Sequence, residues 1–132
     1  MFFFYFKLKD SSRNEKDSFE QINKFILYFH SHGSCRHEGR FLLNYASKRN
    51  SNLILIDMRG SGDSQGQFTT LGIKESLDIC NLLKDLQKKF ICKTVLLYGR
   101  SMGAASLMKF VVENKKGIIN KIKNYQKLKE LF

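Results

Sequence analysis

Residues 99–103 read GRSMG and place a serine between two glycines at G-x-S-x-G spacing. A serine hydroxyl at its ordinary pKa is a weak nucleophile and needs an adjacent base, so the chemistry in question is acyl transfer through Ser101. The apolar run TVLLYG (94–99) leads directly into it, and Met102 to Val112 continues with helical periodicity. That is the strand–turn–helix setting of a nucleophile elbow. Gly99 and Gly103 leave room for backbone where a Cβ would collide. Ser101 then sits at a helix N-terminus, where unpaired N–H groups and the helix dipole favour developing negative charge. The Met102 N–H is one expected donor of an oxyanion hole.

Two other segments carry unusual chemistry. HSHGSCRHEG (30–39) gathers His30, His32, His37 and Glu38, and DMRGSGDSQG (57–66) is rich in glycine and small polar residues. A metal reading of the first has no second ligand cluster to support it. The second fits neither the P-loop nor the dinucleotide fingerprint and is expected to be a turn-forming loop, with Asp57 and Arg59 in a local brace. No metal and no cofactor is expected.

The elements that must position these loops follow from apolar patterning. KFILYFH (24–30), LILID (53–57) and TVLLYG (94–99) are continuous apolar runs, as strands covered on both faces require. Between them, Phe41, Leu42, Tyr45 and Ala46 recur at helical spacing, as do residues 73, 77, 80, 83, 86 and 90. The alternation predicts an α/β fold with a mostly parallel sheet between two layers of helices. All three loops then lie beyond the carboxyl ends of strands, where ligands gather in such sheets. MFFFYF at the start ends at Lys7, too short for a membrane span, and is expected to be an edge strand. SSRNEKDS (11–18) is expected to be an exposed turn.

In order and spacing, FILYFHSHGSCRHEG, LILIDMRGSGDSQGQFTTLGIKE and VLLYGRSMGA resemble the N-terminal half of an α/β-hydrolase. The resemblance is to the serine aminopeptidase-like and monoacylglycerol-lipase-like branch, and it spans roughly residues 22 to 112. The second block is complete as Asp57, Arg59, Gly60, Gly62, Ser64 and Gly66, and the third as Gly99, Ser101 and Gly103. The first block departs from the pattern. With His30 as the motif histidine, His32 offers the second oxyanion N–H; with His32-Gly33 as the pair, Ser34 does. The resemblance implies a serine hydrolase acting on an ester, amide or peptide bond of a small-molecule or peptide acyl substrate.

It also implies an acid and then a histidine after the nucleophile. Beyond Ser101 there is no Asp and no His, and the later acids are Glu113 and Glu130. His30, His32 and His37 precede the serine, in a loop that in this fold supplies oxyanion donors rather than the base. The expectation is a fragment of a longer hydrolase, residues 1–112 being the partial core and 113–132 a basic amphipathic helix. The alternative is a non-catalytic pseudo-hydrolase serving as a binding or scaffold module.

Composition bounds the remaining choices. The chain has 132 residues, 42% hydrophobic and 27% charged, as in a globular domain rather than a disordered one. The net charge of +11 is carried mostly by scattered lysines, densest near the C-terminus, which argues for a solvated surface and against nucleic-acid binding. Cys35, Cys80 and Cys92 form no repeated spacing, which fits reduced thiols and a cytoplasmic location. The last strand should keep one edge unpaired, a route to homo-oligomers.

Overall fold

The computed structural model describes residues 23–114 and, by backbone alone, residues 2–6. The expected turn at 11–18 and the expected helix beyond residue 114 lie outside the described residues. Four strands, β1 (Phe2–Phe6), β2 (Lys24–Phe29), β3 (Asn52–Asp57) and β4 (Thr94–Gly99), form one sheet in the order β1-β3-β2-β4. β2 lies parallel to both β3 and β4, while β1 runs antiparallel on the outer edge of β3. The helices are α1 (Leu43–Lys48), preceded by a 3-10 segment Arg36–Leu42, then α2 (Ile73–Lys89) and α3 (Met102–Glu113).

Both faces of the inner strands are covered, which is why their sequences carry no polar alternation. On one face Phe25, Leu27, Phe29, Ile54 and Ile56 pack against Ile79, Leu82, Leu83 and Leu86 of α2 and Met102 and Phe110 of α3. On the other, Ile26, Tyr28, Leu53 and Leu55 pack against Leu42 and Ala46. Each large side chain so buried contributes about 1.5–3 kcal/mol. Strands β2 and β3 thereby hold their C-terminal loops on a rigid base.

Two expectations need correction. Strand β4 is only half-buried, because β2 is its sole strand partner among the described residues and Tyr98 remains 41% exposed. The buried face of α2 also differs from the apolar count. Ile73 and Leu77 point to solvent, while Glu75 and Ser76 are buried. The reason is local capping. The Glu75 carboxylate turns inward to accept the N–H groups of Thr70 (2.7 Å) and Gly72 (2.8 Å) and the Thr70 hydroxyl (2.6 Å). The Ser76 hydroxyl donates to Ile73 O and lies 3.1 Å from Glu113 on α3.

Candidate active site

Ser101 occupies the junction between β4 and α3 with φ 47° and ψ −110°, a conformation that side-chain-bearing residues seldom adopt. The surrounding backbone enforces it. Arg100 N–H donates to Phe29 O at the end of β2 (3.0 Å), Gly103 N–H to Arg100 O (2.9 Å), and Ala105 N–H to Ser101 O (2.9 Å). A Cβ on Gly99 would stand 2.5 Å from the Gly103 carbonyl carbon, and one on Gly103 would run into Phe29 O. The helix therefore starts directly on the end of the neighbouring strand, and only glycine fits on either side of the serine. Ser101 is exposed, and its hydroxyl makes no capping hydrogen bond. The N–H of Met102, the first residue of α3, belongs to the first turn, whose donors a helix cannot satisfy internally.

The first loop begins at His30, which is fully buried. Its Nε2 accepts the Met58 N–H (3.0 Å), so the proton lies on Nδ1, which donates to Ser31 O (2.7 Å). Both ring nitrogens are occupied in joining the ends of β2 and β3. Ser31 to Ser34 form a turn closed by Ser34 N–H on Ser31 O (3.2 Å), with Gly33 at φ 72°. The Ser34 N–H is thus engaged within the loop. The His32 side chain is exposed, its Nδ1 3.4 Å from the Thr69 hydroxyl, and His37 is also exposed.

Glu38 is the most connected group near the elbow. Its Oε2 accepts the Ser31 N–H (2.8 Å), and its Oε1 accepts both the Ser31 hydroxyl (2.7 Å) and Nη1 of Arg100 (3.0 Å). Burial pushes this carboxyl up, but the Ser31 donors, the Tyr28 hydroxyl and Arg100 outweigh it and hold it below the ordinary glutamate range. The Tyr28 hydroxyl is itself buried and without a well-formed hydrogen bond; burial first, and then Glu38, push its pKa far up.

The loop after β3 is held by charge. Asp57, fully buried, accepts the N–H groups of Arg36 (2.7 Å) and Asp63 (3.0 Å) and the Arg36 guanidinium. Burial raises its carboxyl, and these donors more than reverse that, leaving it below the usual range. The expected brace is present with different partners. Arg59 pairs instead with Asp78 of α2 through two contacts of 2.6 and 2.7 Å. Neither pairing is legible from local spacing, since the partners are 21 and 19 residues apart. Arg100 and Glu38 were likewise not separable from solvated charge by sequence, although a long cation beside a nucleophile is a residue to examine.

Three ends of strands thus meet at one edge of the sheet, with Ser101 at the third. No described histidine or carboxylate hydrogen-bonds the Ser101 hydroxyl, and among the described residues no group of three or more His, Cys, Asp or Glu is arranged to hold a metal ion. No described helix is long and apolar enough to cross a membrane.

No protein-family model matches the chain, and no curated protein sequence matches it. Among solved structures it is similar to the esterase Pf2001 of Pyrococcus furiosus in two crystal forms. One gives a TM-score of 0.61 at 29% identity, covering 66% of this chain and 37% of that one. The other gives 0.60 at 27% identity, covering 73% and 37%. The shared part is the parallel sheet with its flanking helices, and the chain matches well under half the length of the esterase.

Proposed function

We propose that this chain carries the nucleophile-bearing part of an α/β-hydrolase core, with Ser101 as the nucleophile that attacks an ester, amide or peptide carbonyl. The observation that carries the reading is the Ser101 backbone, at φ 47° between β4 and α3, with glycine required on both sides. Strain of that kind persists only where the surroundings enforce it, and it clusters at functional sites. In the reaction the Ser101 hydroxyl would lose its proton to a base as the Oγ–carbon bond forms. The leaving alcohol or amine would then take the proton, and water would release the acyl group. The Met102 N–H would bind the oxyanion. The turn that engages Ser34 N–H favours His32 over Ser34 as the second donor. The likeness to an esterase supports acyl chemistry, and the three loop motifs support the aminopeptidase-like and lipase-like branch.

The acid and base would come from outside these 132 residues, since no Asp or His follows Ser101 and His30 is engaged through both nitrogens. The same observation favours a second reading, a non-catalytic binding module on the same frame. Labelling with a fluorophosphonate, read by intact mass and peptide mapping, separates the two. With imidazole supplied as an external base, the hydrolase reading expects one adduct on Ser101, absent from Ser101→Ala and from heat-unfolded protein. Labelling no faster than in unfolded protein would support the binding module.

A further inference from the structure

Beside the nucleophile, the charged pair of Arg100 and Glu38 bridges two loops. Arg100 immediately precedes Ser101, and Ser31 immediately precedes His32. Glu38 touches both. Its Oε2 takes the Ser31 N–H at 2.8 Å, and its Oε1 takes the Ser31 hydroxyl at 2.7 Å and Arg100 Nη1 at 3.0 Å. The Glu38 side chain is 14% exposed, whereas that of Arg100 is 64% exposed. One largely buried carboxylate therefore binds donors from its own loop and, 62 residues along the chain from itself, from the elbow.

We propose that Glu38 and Arg100 are a positioning pair that fixes the first loop against the elbow, keeping His32 N–H, Met102 N–H and Ser101 Oγ in one relative arrangement. Its effect on the nucleophile rests on the hydrolase reading above; the mechanical link does not. The two Ser31 bonds stop the carboxylate from rotating, so the reach of Arg100 sets the gap between loop and elbow. On the other side, Arg100 is held by its own N–H on Phe29 O. An exposed cation adds little to global stability, so the pair acts on local geometry rather than on folding. It transfers no proton, because the guanidinium stays charged throughout. The contact is made by Nη1 alone, so it depends on a cation of this reach rather than on the paired geometry of a bidentate site.

The test compares the full chain with Arg100→Met, Arg100→Lys and Glu38→Gln by two readouts, backbone amide exchange at Ser31 and His32 followed by NMR, and the rate of fluorophosphonate labelling at Ser101 with imidazole present. Arg100→Met should leave the urea midpoint unchanged, speed exchange at Ser31 about fivefold and slow labelling by about the same factor. Arg100→Lys should restore both to within about twofold, because the charge is kept. Glu38→Gln should change the same amides, and the double variant should be no worse than Glu38→Gln alone. Unchanged exchange in Arg100→Met overturns the pair, whatever the labelling does. Faster exchange with unchanged labelling overturns its effect on the nucleophile. If the unaltered protein does not label at Ser101, the nucleophile reading falls, and the exchange readout still decides the pair.

Discussion

At Ser101 a residue with a Cβ holds φ 47°, which costs about 1–3 kcal/mol that the neighbouring contacts must offset. Gly103 is the residue most responsible, because its missing side chain lets α3 begin against Phe29 O. Gly103→Ala must push the helix off β2 or unwind its first turn. It should lower stability in urea unfolding by about 2 kcal/mol and remove labelling of Ser101 even where the protein remains folded. Retained labelling at the original rate would mean that the elbow does not depend on that close approach. The G-x-S-x-G spacing made this residue legible in the sequence, since the steric need for glycine is local. The role of His30 was not legible. Its neutral ring bridges Met58 and Ser31 across 28 residues, a relation that only the strand pairing creates.

The elements were legible to different degrees, for physical reasons. Strands β2 and β3 are buried on both faces, so unbroken apolar runs mark them plainly. The inner face of α2 departs from its apolar spacing because Glu75 and Ser76 are drawn inward by hydrogen bonds that hydrophobic periodicity does not register. The loop connections were also hidden, because Arg36 reaches Asp57 from another element. That brace gives the loops a dependence on pH. The pKa values of Asp57, Glu38 and Glu75 are lowered in the folded state. Groups depressed in this way add stability above their unfolded values, near about 3.9 for Asp and 4.3 for Glu, and lose it as pH falls through the folded ones. The urea midpoint should therefore stay level from neutral pH to about pH 5 and decline in the acid range below it. Asp57→Asn should cost about 2 kcal/mol at pH 7, because the amide keeps one acceptor oxygen but loses the charge and sets an NH2 against the donors on the other oxygen. It should also flatten the acid decline, and a decline as steep as in the unaltered protein would remove Asp57 from its cause.

Across the whole molecule, the sheet is closed unevenly. β1 lies along the outer edge of β3, whereas β4 has β2 alone as a strand partner among the described residues. Beside that edge, Tyr28, Phe41 and Tyr98 form an aromatic cluster with ring centroids 5.7–5.8 Å apart. Phe41 is 56% exposed and Tyr98 41%. A strand edge flanked by exposed aromatic rings is a template for pairing with another chain. The net charge of +11 opposes approach of a second copy at low salt, and screening weakens that opposition as salt rises. Sedimentation velocity should accordingly show association that grows with protein concentration and strengthens from low to moderate salt. Tyr98→Lys adds a charge beside the edge and removes an aromatic anchor, so it should weaken association about tenfold. A monomer at every concentration and salt would exclude self-pairing through this edge.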